Sequence, residues 1–122
     1  MHYILMLHAA EAGWATMTEA QHEQAIGAYY AYTESLKKAG VLKDVNRLQP
    51  SSTTTTVRVA NGKSQVLNGP YVDTKEQLGG YFLVDVKHLD EALEIAARIP
   101  TAREGSIEVR PIQPIGQAAQ GA

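Results

Sequence analysis

The chain has 122 residues, which is enough for one domain with a single core and too few for two. Eleven Lys and Arg residues against thirteen Asp and Glu give a net charge of −2, so no sequence-wide field favours nucleic acid or an anionic membrane as a partner. The absence of cysteine excludes disulfides, thiolate nucleophiles and Cys-ligated zinc.

The first predicted strand covers residues 3–7, where almost every side chain is apolar. A continuous apolar run is typical of a strand buried on both faces, and we predict that burial here. The start of the chain has no basic lead-in and no long apolar stretch, so we expect neither a signal peptide nor a membrane span. A reducing cytoplasm is the expected location.

The first predicted helix begins with a capping box. Thr18 and Gln21 have the spacing at which a hydroxyl and an amide satisfy the free backbone donors of a helix start. Gly40, after two lysines, supplies the stop. The residues that recur at helical spacing, and so are predicted to face the sheet, are His22, Ile26, Tyr29, Thr33 and Leu36.

The remaining elements complete a ferredoxin-like α+β plan. Residues 41–48 are predicted as a strand, residues 53–59 and 63–67 as a hairpin closed by Asn61-Gly62, and residues 81–86 as the next strand. A second amphipathic helix runs from Leu89 to a stop at Pro100, before a last strand at 107–112. The order β-α-β, hairpin, β-α-β predicts a ferredoxin-like fold with an inserted β-hairpin. We expect the domain to end at residue 113, with 114–122 as a disordered tail that has little to bury.

Residues 66–86 combine a turn, a polar cluster and a core strand. Asn68-Gly69-Pro70 predicts a tight turn, because Gly tolerates positive φ and Pro fixes its own φ. A polar cluster follows between Asp73 and Gln77, just ahead of Gly79-Gly80. Since loops held on a rigid scaffold tend to carry function, this cluster is the predicted site.

Asp73 and Glu76 are the predicted catalytic residues. With Lys75 between them, two partly buried carboxylates can supply an acid and a base. The alternative is structural: Asp73 caps a short helical turn over residues 75–78, and the other two side chains stay solvated. The predicted ligand-binding residues are Arg47, Asn68, Tyr71, Lys75, Gln77 and Tyr81.

Arg47 and Arg58 lie on or next to predicted strands. A buried arginine in a sheet usually has a carboxylate partner, and the candidate partners are Asp73, Glu76 and Asp85.

The tyrosines are predicted to pack. Tyr29, Tyr30 and Tyr32 form an aromatic flank of the helix that packs on the sheet and on a partner subunit, with each hydroxyl wet. Tyr71 and Tyr81 are expected in the core with a polar edge.

The four histidines have no metal-binding spacing, so no metal site is predicted. His8 and His22 would meet if the end of the first strand faces the start of the first helix, and either would then suit a general base. The structural alternative is that His22 packs on Met17 as a hydrophobic staple while His8 merely ends a strand. No nucleotide fingerprint is present, and no cofactor is predicted.

The run Thr74-Lys75-Glu76-Gln77-Leu78-Gly79-Gly80 resembles the signature of the YCII-related family, in particular of its branch named for an Asp-Gly-Pro-Phe motif. This chain has Asn68-Gly69-Pro70-Tyr71 at that motif, so the first and fourth positions differ. The resemblance extends to residues 47–50, 56–59 and 105–111 and covers nearly the whole chain.

The resemblance implies a ferredoxin-like fold of the dimeric α+β barrel type, paired as a homodimer. The polar cluster predicts a small-molecule pocket near the loop from Asn68 to Gly80, and because some members of the family resemble small-ring lyases or dehydrochlorinases, we expect an enzyme of acid/base or lyase type. Some relatives have a catalytic pair of an Asp and a first-helix His, but Tyr29 stands closest to that His, so the pair is not carried over.

The competing interpretation is a non-catalytic accessory or regulatory binding protein, because genes of this branch often neighbour those of alternative sigma factors. Asn68 slightly favours it, since an amide cannot take up a proton as the motif's carboxylate can.

Overall fold

The computed structural model of the protein describes residues 1–115, so residues 116–122 of the predicted tail lie outside the described residues. The strands are β1 His2–Ala9, β2 Leu42–Arg47, β3 Thr55–Ala60, β4 Lys63–Asn68, β5 Gln77–Asp85 and β6 Ser106–Pro111. The helices are α1 Glu11–Ala15, α2 Glu19–Lys38 and α3 Leu89–Arg98, with 3₁₀ turns at Ser51–Thr53 and Pro100–Arg103.

Four strands form one antiparallel sheet in the order β2-β5-β1-β6. This order, with α2 between β1 and β2 and α3 between β5 and β6, is consistent with a ferredoxin-like α+β fold. Strands β3 and β4 pair with each other in a separate two-stranded sheet, joined by Asn61 at φ 53° and Gly62 at φ 76°. Two successive positive φ values are what an Asn-Gly hairpin turn requires. Within residues 1–115, no helix is both long and apolar enough to span a bilayer.

One face of the main sheet carries the core. Alternate residues of β1 and β5 are buried there against side chains of α2, of α3 and of Ile99, which follows α3. The core consists of Tyr3, Leu5, Leu7, Leu36, Phe82, Val84, Val86, Ala92, Ala96 and Ile99. The predicted burial of β1 on both faces is wrong, because the helices contribute to the core from one side of the sheet only. We call the other side the open face. By strand register it carries Ile4, Met6, His8, Tyr81, Leu83, Ser106, Glu108 and Arg110.

The predicted signals at both ends of α2 are confirmed. The Gln21 amide N–H donates to Thr18 Oγ1 at 3.1 Å, and the Thr18 N–H donates to Gln21 Oε1 at 2.9 Å. Gly40 follows the last turn with a φ of +75°, a value that suits glycine. Ile26 is 50% exposed, so its predicted place on the sheet is wrong. It lies at the edge of the helix face on which Tyr29 and Leu36 pack against the core.

Candidate functional site

The diglycine run belongs to a strand. Gln77 and Leu78 pair with Ala9 and His8 of β1, so the alternative of a helical turn over residues 75–78 is wrong. Pairing with β1 is the physical reason, since it satisfies backbone groups that an isolated turn would leave to solvent. The register shifts at this point: His8 stands opposite Leu78 and Leu7 opposite Gly80, which leaves Gly79 as the extra residue of a bulge.

Gly80 makes the close backbone approach that the diglycine predicts. A Cβ added there would lie 2.7 Å from the carbonyl oxygen of Asn46 on the neighbouring strand β2. At Gly79 an added Cβ would meet nothing within 4 Å. The two glycines therefore differ: packing requires glycine at position 80, whereas position 79 has room for a side chain.

The side chain of Gln77 ties the loop before β5 to the helix after β1. Its Oε1 accepts a hydrogen bond from the Glu11 amide at 2.9 Å, and its Nε2 donates to the Thr74 carbonyl at 2.6 Å. The Glu11 carboxylate accepts in turn from the Ser51 amide at 2.6 Å and from the Ser51 hydroxyl. The Gln77 side chain thus connects the start of α1 to Thr74 of the polar cluster.

A groove of about 540 Å³ lies at the end of the open face, against this ordered loop. It is shallow and open to solvent over most of its extent, and its lining residues are His8, Thr74, Lys75, Glu76, Ser106 and Glu108. The Ser106 hydroxyl donates to Glu76 Oε1 at 2.9 Å, which connects the loop to β6. The groove therefore collects polar groups from β1, the loop and β6.

His8 and Glu108 are in close contact in the groove. His8 Nε2 lies 2.6 Å from Glu108 Oε1. The nitrogen is buried and makes no hydrogen bond. The chain just before β6 packs closely against β1. A Cβ added at Gly105 would lie 2.0 Å from the His8 carbonyl oxygen. His8 Nε2 therefore faces the Glu108 carboxylate as a buried polar atom whose hydrogen bond is unmade.

The structure brings only part of the predicted site together. Glu76 and Lys75 line the groove, and Gln77 holds the loop in place through its hydrogen bond to the Thr74 carbonyl. Asp73 is exposed and is not among the lining residues, so its catalytic role stays a prediction. Tyr81 is half-buried on the open face, where its hydroxyl is 2.8 Å from both the Asp44 carboxylate and the Asn46 amide.

Both predicted carboxylate partnerships of the arginines are wrong. The Arg47 guanidinium lies 4.4 Å from the centroid of the Trp14 ring, and that of Arg58 lies 5.4 Å from the Tyr71 ring. Both arginines are exposed, so neither requires a carboxylate to offset a buried charge. Tyr71 is 71% exposed, which corrects its predicted place in the core.

Two further predicted residues lie away from the groove's lining. Asn68 ends β4 opposite Thr55. His22 stacks on Trp14 with ring centroids 4.3 Å apart, and its Nε2 lies 2.6 Å from the Trp14 carbonyl oxygen, so Trp14 takes the place expected for Met17. His8 and His22 thus have different partners.

The three tyrosines of the aromatic flank of α2 differ in burial. Burial raises the pKa of the Tyr29 hydroxyl; Glu104 raises it further, while the Thr101 backbone and Arg47 oppose the shift. Burial also raises the pKa of Tyr32, whose hydroxyl donates to the Ile95 carbonyl at 2.7 Å. Tyr30 is 68% exposed and is free to meet another surface.

The YCII-related domain matches residues 1–116. The chain belongs to the YCII-related family. An uncharacterized protein of Rhizobium meliloti (strain 1021) is 34% identical over 114 residues, which is 92% of each chain. Because that name states no activity, the function of this YCII-related protein has to be argued from its groove.

The YCII-related fold supplies groove residues that local sequence patterns miss. His8, Ser106 and Glu108 meet because β1 pairs with β6, a contact between segments about a hundred residues apart. The sequence signal that could identify them is the two-residue period of a strand. Alternate residues of β1 and of β6 share a face once the two strands are paired. Among the residues described, no cluster of three or more His, Asp and Glu side chains is arranged to hold a metal ion.

Proposed function

We propose that this protein is a homodimer that binds a small polar molecule in the groove of His8, Glu76 and Glu108 and transfers protons on it, as a lyase-type acid/base enzyme. The observation that carries the proposal is the convergence of an imidazole and two carboxylates from three separate segments in one groove. We also place the chain in the branch named for the Asp-Gly-Pro-Phe motif, on the run from Thr74 to Gly80.

The groups have distinct parts in the proposed chemistry. Ser106 holds one oxygen of Glu76 at 2.9 Å, which orients the carboxylate and leaves its second oxygen for a ligand. His8 and Glu108 are in contact at 2.6 Å, and in the proposed chemistry this pair acts together as the base. An elimination needs one base to remove a proton and one acid to protonate the leaving group, and the groove supplies both. Lys75 adds a positive charge at the groove for negative charge that develops on the ligand.

The open face supports the proposed homodimer. Ile4, Met6 and Leu83 are half-buried there, and the helices contribute their buried side chains to the opposite side of the sheet. An apolar row on a sheet face without a covering layer is stabilised when a second copy covers it. Light scattering at micromolar concentration is expected to give the mass of two chains, and the mass of one chain would overturn the homodimer.

A specific observation also favours binding without turnover. The groove is open to solvent over most of its extent, and enzymes of this chemical class usually exclude water from the reacting groups. The second candidate is therefore an accessory or regulatory binding protein, for example one linked to alternative sigma factors.

A thermal-shift screen against small carboxylic acids, lactones and substituted aromatic rings tests the binding. A compound that binds the folded chain raises its melting temperature by mass action. For each hit, we expect Glu76→Gln and Glu108→Gln to remove most of the shift, while Glu23→Gln, an exposed carboxylate on α2, retains it. Hits that all three variants bind equally well would place the ligand elsewhere. Turnover of a hit favours the enzyme, and binding without turnover favours the accessory protein.

A further inference from the structure

The hairpin of β3, its turn and β4, residues 55–68, is an arm that leaves its apolar residues exposed. Val57 and Val66 stand opposite each other on one face of the arm, with Val59 two residues further along that face. Their side chains are 63%, 65% and 69% exposed, respectively. Three valines in one row on one small surface are more than isolated surface hydrophobes.

Within residues 1–115, the arm has little support from the rest of the chain. Its two strands contact each other extensively and the main sheet only slightly. An isolated two-stranded hairpin is marginally stable in water and needs a third strand or a packed face. The arm therefore needs a further packed surface, and the exposed valine row is an apolar surface that can supply it.

Charge and shape point to a second copy as the occupant. The arm carries Arg58 and Lys63 and no acidic residue, so its charge is +2. The open face offers the matching apolar row of Ile4, Met6 and Leu83, which lie side by side on β1 and β5. On the same face, Glu108 stands opposite Met6 and Asp44 opposite Leu83, beside the cation Arg110 opposite Ile4, so the apolar row lies among charges that are net negative and complement the arm.

We propose that the arm of one copy lies across the open face of the other, with Val57, Val59 and Val66 against Ile4, Met6 and Leu83. This rests on the homodimer proposed above and adds the element that builds it. His8 and Glu108 belong to the same open face, so a partner's arm laid over it also covers the open side of the groove. Each site is then completed by the other copy.

Cross-linking between two different chains tests this contact directly. Because the chain has no cysteine, single substitutions report one position each. Chains carrying Val59→Cys and chains carrying Met6→Cys are refolded together and oxidised mildly, and Val57→Cys with Leu83→Cys forms a second pair. The matched control is Val59→Cys with Ala97→Cys, an exposed position on α3. A disulfide requires Cα atoms within about 7 Å, so we expect at least one test pair to give a mixed dimer several-fold above the control.

A charge on the arm gives an independent readout. Val59→Asp leaves the isolated chain intact because the side chain is exposed, and we expect it to turn the dimer into a monomer in sedimentation. Leu93→Asp, on the exposed side of α3, is expected to remain a dimer. A wild-type dimer with neither cross-link above the control would overturn the arm contact and leave the homodimer standing. A wild-type monomer would overturn both, and neither result depends on a ligand.

Discussion

His8 Nε2 and Glu108 Oε1 lie 2.6 Å apart across the β1–β6 pair. Glu108 stands opposite Met6 and His8 stands opposite Ser106, so the two side chains are diagonal neighbours on the open face. Diagonal neighbours are within reach only of long or aromatic side chains. The contact therefore depends on the register of the sheet as much as on the two residues.

The first prediction distinguishes Glu76 from Asp73 as the carboxylate that transfers protons. For any compound that the protein turns over, we expect Glu76→Gln to lower turnover by roughly a hundredfold, the usual scale for a lost acid or base. The sequence alone predicts the same loss for Asp73→Asn. Because Asp73 is exposed and outside the groove's lining, we expect that variant to keep most of its turnover. Loss in Asp73→Asn with retention in Glu76→Gln would move the chemistry out of the groove.

A second prediction concerns the two glycines. Gly80→Ala places a methyl group 2.7 Å from the Asn46 carbonyl oxygen, so we expect it to lower the free energy of unfolding by roughly 1–3 kcal/mol. Gly79→Ala meets open space and serves as the matched control, with an expected change within about 0.5 kcal/mol. Denaturant titration measures both, and equal effects would mean that β2 and β5 do not approach as closely as described.

Local signals predict much of the fold. The capping box at Thr18 and the Asn61-Gly62 turn act through neighbouring backbone atoms, and the structure shows both. The five-residue helix α1 has no periodic pattern to reveal it, yet it places Trp14 against His22 and Arg47. Whether Arg47 needs a carboxylate depends on its burial, which only the fold determines. The groove residues of β1 and β6 likewise depend on pairing between distant segments.

The third prediction tests Gln77 as the residue that orders the loop. Gln77→Ala removes the bonds to the Glu11 amide and the Thr74 carbonyl, and we expect it to lower stability by about 1–3 kcal/mol. Amide hydrogen exchange is expected to speed up at residues 74–76 and at the start of α1. Gln65→Ala, exposed on β4, is the control and is expected to change neither quantity. An unchanged exchange rate in Gln77→Ala would show that other contacts hold the loop.

The fourth prediction follows from the raised pKa of Tyr29. A tyrosine whose folded-state pKa lies above its unfolded value contributes stability that is fully present below about pH 10 and is lost as pH rises through the folded pKa. We therefore expect the wild-type free energy of unfolding to fall as pH rises above about 10, and the fall to be shallower in Tyr29→Phe. Denaturant titrations at matched ionic strength measure both slopes. Identical slopes would mean that the burial of Tyr29 does not affect its titration.

The groove is the central claim, and chemical-shift mapping tests it most directly. Titration of the ¹⁵N-labelled protein with the strongest hit of the thermal-shift screen is expected to move the amide signals of His8, Thr74, Lys75, Glu76, Ser106 and Glu108. A second cavity, of about 380 Å³, lies between α2 and α3 and includes Tyr32, Ser35 and Glu94. Shifts confined to that cavity, with the groove residues unmoved, would contradict the account; shifts centred on His8 and Glu76 are the result it predicts.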